Sequence, residues 1–172
     1  MKTLVKTMLL LVVVLCNSIP IYAQNTRKEK QAAKIAEVKG MISAGRYTFE
    51  ANSALPLRGG TRQLTSAYDL QVTKDTIKSF LPYFGVAYVA PTDPTEGGIK
   101  FTSTNFEYKV TQNKNGSWDI LIKPKDKIVT DMRSVEQMRL NISIYGYASL
   151  QVTSTNRDAI SFNGEIVALN GK

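Results

Sequence analysis

The side chains able to do chemistry in this 172-residue chain are carboxylates, tyrosines, lysines and arginines. It has no histidine and a single cysteine, Cys16. That excludes a Ser-His-Asp triad and a His/Cys zinc site. Two groups of carboxylates stand close in sequence: "DPTE" (93–96), in a polar loop, and Asp126 and Asp131, which flank "KIVT". A hydrolase built on a carboxylate pair needs a particular spatial separation, which spacing along the chain does not supply. "NKNG" (113–116) has the look of a calcium loop. It lacks the run of acidic ligands and the closing glutamate, so it reads as a β-turn. "KPKDK" (123–127) is a short basic run after a strand, read as a solvated loop, with an anion or lipid-headgroup contact as the alternative. Arg157 lies in "TNRD" (155–158), expected to be the last hairpin turn. Its guanidinium can pair with a carboxylate or grip an anionic ligand with two hydrogen bonds. These residues point to no metal site and no cofactor.

A denser cluster is aromatic. "SFLPYFGVAYVAP" (79–91) holds two tyrosines, two phenylalanines, two prolines and a glycine. Pro82 cannot donate to a ladder, so strand pairing should stop there or lie on an edge. Gly85 lets the chain turn sharply. Tyr83, Phe84 and Tyr88 should therefore gather around a bend. They form either a plug over one end of the core or the lip of a pocket. The expectation is that Phe84 is buried while Tyr83 keeps its hydroxyl at the surface. Trp118 falls on an inward-facing phase and reads as core, becoming part of a site if the interior is hollow.

The elements that must position these residues begin after an export signal. Lys2 and Lys6 precede the apolar "MLLLVVVLC" (8–16), and Ala23 is the small residue before the expected cut. A lipoprotein cut before Cys16 is the rival reading, but Leu15 occupies the position where a small residue is wanted. The expected layout is a signal peptide at 1–23, a helical segment at 24–44 and an antiparallel β domain at 45–172. Removing Lys2 and Lys6 takes the net charge from +8 to +6. The basic residues are dispersed, which suits a solvated surface or peripheral contact with an anionic membrane better than nucleic-acid binding.

Residues 27–44 carry Ile35, Val38 and Ile42 at helical spacing, with Met41 beside them and Gly45 as a stop. From Arg46 the period becomes two. "RYTFEA" (46–51) turns Tyr47, Phe49 and Ala51 one way, and "AYDLQVT" (67–73) turns Tyr68, Leu70 and Val72 inward. Phe106, Tyr108 and Val110 share an even phase with Trp118, Ile120 and Ile122. A three-residue loop at Lys114-Asn115-Gly116 keeps that phase, pairs Val110 with Ile120, and places Gly116 in a left-handed conformation. The same phase runs from Met138 to Val152 across Gly146, which implies either a three-residue loop or a kinked long strand. Ile160, Phe162 and Ile166 mark the last strand. A phase slip between Phe101 and Phe106 is expected to be a bulge at "TSTN" (102–105). The fold class is thus mainly β (α+β): one helix and about seven or eight antiparallel strands in a curved sheet or small barrel.

"RYTFEANSALP" (46–56), "AYDLQVTKDTIKSFLPYFG" (67–85), "GGIKF" (97–101) and "GYASLQVTSTNRDAISFNGEI" (146–166) together resemble the DUF4251 family. The resemblance covers roughly residues 45–168 and implies an exported, β-rich single domain of unassigned function, with no catalytic residues to carry over. The residues themselves support three functional readings, in this order. The first is a non-enzymatic periplasmic or secreted domain binding a small apolar or aromatic ligand through Tyr83, Phe84, Tyr88, Trp118 and Arg157. The second is a structural or assembly module that docks an envelope protein through the same patch or a free strand edge. The third is a carboxylate- or tyrosine-based hydrolase.

Overall fold

The structure, a computed structural model, describes residues 20–88, 97–126 and 135–169. Most of the expected leader lies outside these residues, as do Asp93, Glu96 and Asp131. Helix α1 (Pro20–Ala44) is followed by strands β1 (Tyr47–Pro56), β2 (Arg62–Val72), β3 (Ile77–Leu81), β4 (Ile99–Ser103) and β5 (Phe106–Gln112). Then come β6 (Trp118–Pro124), β7 (Val135–Ile142), β8 (Tyr147–Ser154) and β9 (Arg157–Val167). All nine join one antiparallel sheet in the order β4-β3-β2-β1-β9-β8-β7-β6-β5. The sheet rolls into a nearly closed barrel.

Helix α1 starts earlier than expected and stops where Gly45 predicts. Gly45 has φ 60°. Its N–H donates to the Ile42 carbonyl at 3.1 Å, and the Arg46 N–H donates to the Met41 carbonyl at 3.2 Å. That pair of bonds is a Schellman cap, which lets the chain reverse into β1. Val38, Met41 and Ile42 join the core, while residues 26–33 are exposed. The helix is therefore anchored to the barrel by its C-terminal turns.

Two hairpins use the same device. Gly116, at φ 85°, closes a three-residue loop in which the Asn113 N–H reaches the Ser117 carbonyl at 2.8 Å. Val110 pairs with Ile120 and Tyr108 with Ile122, the register the even phase requires. Gly146, at φ 92°, closes the β7–β8 loop with a Ser143–Tyr147 bond of 2.8 Å, so the loop alternative holds there. Trp118, Ile120, Ile122, Met138, Leu140, Ile142, Leu150, Val152, Ile160, Phe162 and Ile166 are all buried. Across the barrel Tyr47, Phe49 and Leu70 meet them, each with no exposed surface. Gly164 on β9 faces Ala51 of β1, and a Cβ there would overlap the Glu50 carbonyl oxygen. The two strands touch at that point beside a bulge between Ala51 and Ser53.

The phase slip between Phe101 and Phe106 has a different cause from the expected bulge. Alternating directions along the strand order require β4 and β5 to run the same way. Only Thr104 and Asn105 separate them. They are two halves of one bent strand, the first paired with β3 and the second with β6. Counted so, the barrel has the geometry of an eight-stranded meander with one partner-switching strand. Asp126 fastens the bend: its Oδ2 accepts the Thr104 N–H at 3.1 Å and the Asn105 N–H at 3.4 Å. A hydrogen bond from the Ser103 hydroxyl, helped by those two N–H groups, holds its carboxyl below the usual range.

Candidate functional site

Beyond the bend, no strand among the described residues stands beside the outer edge of β5. The C-terminal turn of α1 and the β2–β3 turn face this edge across a groove of about 530 Å³. Ile42, Ser43, Ala44, Gly45, Thr73 and Lys74 form one side. Phe106, Tyr108, Val110, Gln112 and Trp118 form the other. This is the size of a small-molecule pocket, and its lining is mostly apolar and aromatic. The wall is made by the even phase of β5, which is inward-facing but lacks a strand to cover it. Val110 is 41% exposed as a result. The β2–β3 turn holds its own polar groups: the Thr73 hydroxyl donates to the Thr76 carbonyl and accepts the Thr76 N–H.

At the inner side of this wall two phenols meet, Tyr47 and Tyr108, with hydroxyl oxygens 3.1 Å apart. Burial pushes the Tyr47 hydroxyl well above its usual value, and the neighbouring Tyr108 adds to the shift. Burial raises Tyr108 as well, opposed by its hydrogen bond with Tyr47. Both remain protonated near neutral pH. Among the described residues no Asp or Glu lines the groove. The carboxylates elsewhere hold structure: Asp119 accepts from Asn141 at 2.7 Å and Asn113 at 2.8 Å, which lowers its pKa. Among the described residues no cluster of three metal-ligating side chains occurs.

The expected site residues divide between two places. Trp118 is in the groove, near the end of the barrel where α1 packs. Tyr83, Tyr88 and Arg157 meet elsewhere, where the segment after β3 crosses the β8–β9 turn. An isolated bridge links Ala87 to Arg157, and the Tyr88 N–H donates to the Asn156 carbonyl at 2.9 Å. The Arg157 guanidinium lies 4.7 Å from the Tyr83 ring centre and donates to the Gly98 carbonyl at 3.1 Å. The Tyr88 hydroxyl binds the carboxylate of buried Asp158. That bond is the main cause of the raised Tyr88 pKa. Phe84 packs under Arg62, whose guanidinium lies 4.8 Å from the ring centre.

β3 ends at Leu81, just before buried Pro82, as a proline there dictates. The expected contrast between neighbours does not hold, because Tyr83 and Phe84 are both half-buried against the core. The Tyr83 hydroxyl is turned back to the Val86 and Asp158 carbonyls, at 3.0 and 3.1 Å, rather than left at the surface. Reading the sequence missed Tyr108, Val110 and Lys74 as site residues. The even phase marked Tyr108 and Val110 as inward, but nothing marked the missing strand beside them.

A family model described as a domain of unknown function (DUF4251) matches residues 29–166. Among solved structures, the chain is similar to the crystal structure of a DUF4251 family protein from Bacteroides eggerthii DSM 20697. The TM-score is 0.59 at 19% sequence identity, over 81% of this chain and 93% of that one. That likeness is one of fold. No curated protein matches the chain at a significant level.

Proposed function

Because this chain belongs to the DUF4251 family, a domain of unknown function, we propose its role from the site itself: it is a non-enzymatic module that binds a small apolar or aromatic ligand in the seam groove. One observation carries the reading. Among the described residues no strand stands beside β5, and the opening there is lined by Phe106, Tyr108, Val110 and Trp118. Aromatic walls of this kind favour ligands with flat apolar surface, through burial and ring stacking. The proposal includes export, with cleavage after Ala23, so that the ligand is met outside the cytoplasm. The surviving +6 charge suits transient residence at an anionic membrane.

Trp118 is the sole tryptophan in the chain, so its emission reports on the groove directly. N-phenyl-1-naphthylamine, a neutral probe, should bind saturably and quench Trp118. Val110→Arg, which fills the mouth with a long charged side chain, should abolish the effect. Absence of saturable binding by the parent protein overturns the reading. A second reading rests on the open backbone edge of β5: an extended peptide adds to the sheet there. It is favoured instead if β5 amides gain hydrogen-exchange protection only with a peptide partner.

A further inference from the structure

The Tyr47–Tyr108 pair has a direction. Tyr47 has no exposed surface, and among the described residues its hydroxyl meets only Tyr108. A phenol has one O–H to donate. If Tyr108 donated to Tyr47, the Tyr47 proton would be buried without an acceptor, at the full desolvation cost of that group. Tyr47 is therefore the donor, and the Tyr108 oxygen accepts. The proton of Tyr108 is then left over, on a side chain that lines the groove. Any occupant that excludes water from the groove must offer this proton an acceptor or leave it unsatisfied.

The rest of the lining limits the charge of that acceptor. The groove contains the last residues of α1, Ile42 to Ala44, and the capping Gly45, where the helix dipole is negative. No basic residue lies in the last turn of the helix. Lys74 on the adjacent turn lines the groove from an exposed position, and Arg46, also exposed, follows the helix cap. A carboxylate in the groove would approach the negative end of the helix, whereas a neutral oxygen would not be repelled.

We propose that the groove selects an apolar or aromatic ligand that carries an uncharged oxygen acceptor, of the ketone or ester kind, which receives the Tyr108 O–H while the ring or chain lies against Trp118. This rests on the groove reading above and specifies its ligand class. Tyr108 contacts the ligand, and Tyr47 is a positioning residue that fixes which proton is free.

The test compares 2-acetylnaphthalene with 2-isopropenylnaphthalene, in which a C=CH₂ replaces the C=O at nearly the same shape, titrated against Trp118 emission. The ketone-to-alkene affinity ratio should fall about three- to tenfold on Tyr108→Phe. Tyr47→Phe, which leaves the Tyr108 proton in place, should keep the parent ratio. An unchanged ratio in Tyr108→Phe, with both compounds still binding, overturns the inference while the groove reading stands. Binding of neither compound by the parent protein overturns both. A 2-naphthoate anion that binds more tightly than the ketone overturns the choice of an uncharged acceptor.

Discussion

Buried beside Tyr108, the Tyr47 hydroxyl is held far above its usual value of 10.0. A folded-state pKa raised above the unfolded one means that folding favours the protonated phenol. Its contribution is fully present below about pH 10 and is lost as the pH rises through the folded value. The urea midpoint should therefore fall on the alkaline side, beginning above about pH 10. Tyr47→Phe, which has nothing to ionise, should flatten that fall. An identical alkaline profile in the variant would place Tyr47 in a wetter environment than the barrel interior. At this scale the sequence was half legible. Its even phase assigned Trp118 and Tyr108 to the inward-facing side, and the alternation of 46–51 put Tyr47 on one face with Phe49, but a side chain that faces inward can meet either another side chain or an opening. Which of these holds for Trp118 depends on Ile42, Thr73 and Lys74, far away in the chain. The Arg157–Tyr83 contact was hidden for the same reason, because it needs the segment after β3 to cross the β8–β9 turn.

The hairpins were the most legible elements, since a one-residue slip would turn every side chain of a strand outward. Gly116 and Gly146 both adopt the left-handed conformation that a three-residue loop requires. Gly116→Ala should cost about 1 kcal/mol with the fold retained, read as a lower urea midpoint at unchanged slope. The Cβ would also come within 3.0 Å of the Ile144 side chain, which must give way slightly. The bend between β4 and β5 was legible only as a slip in phase, because a bulge and a change of partner leave the same mark on a period-two pattern. The clamp at Asp126 settles the difference physically by satisfying the two N–H groups that leave the ladder. Its carboxyl is held below the usual value of 3.8. That contribution is present above the unfolded value and is lost as the pH falls through the folded one. Acid should loosen the bend, so amide exchange at Thr104 and Asn105 should accelerate below about pH 4 relative to the barrel core. Asp126→Ala should show the faster exchange already at neutral pH. Equal protection in parent and variant would mean that the bend is held by the ladders alone.

For the whole molecule, the barrel follows from short turns and unbroken alternation, and the helix from its spacing and its glycine stop. The open seam belongs to neither signal. It arises because the strand that would complete the wall leaves one partner for another, and it is bounded by three elements that meet only in the folded chain. Export is a separate proposal, which rests on the first residues. Intact mass of the exported protein should give a chain that begins at Gln24 without lipid, and a diacylated chain beginning at Cys16 would contradict this. The central claim concerns location: the ligand lies in the seam between β5 and the end of α1. Amide chemical-shift mapping with 2-acetylnaphthalene tests it most directly. The account predicts the largest shifts at Ile42 to Gly45, Thr73, Lys74, Tyr108, Val110 and Trp118, while Tyr83, Tyr88 and Arg157 stay still. Shifts centred on Tyr83, Tyr88 and Arg157 instead, with the seam unperturbed, would contradict it.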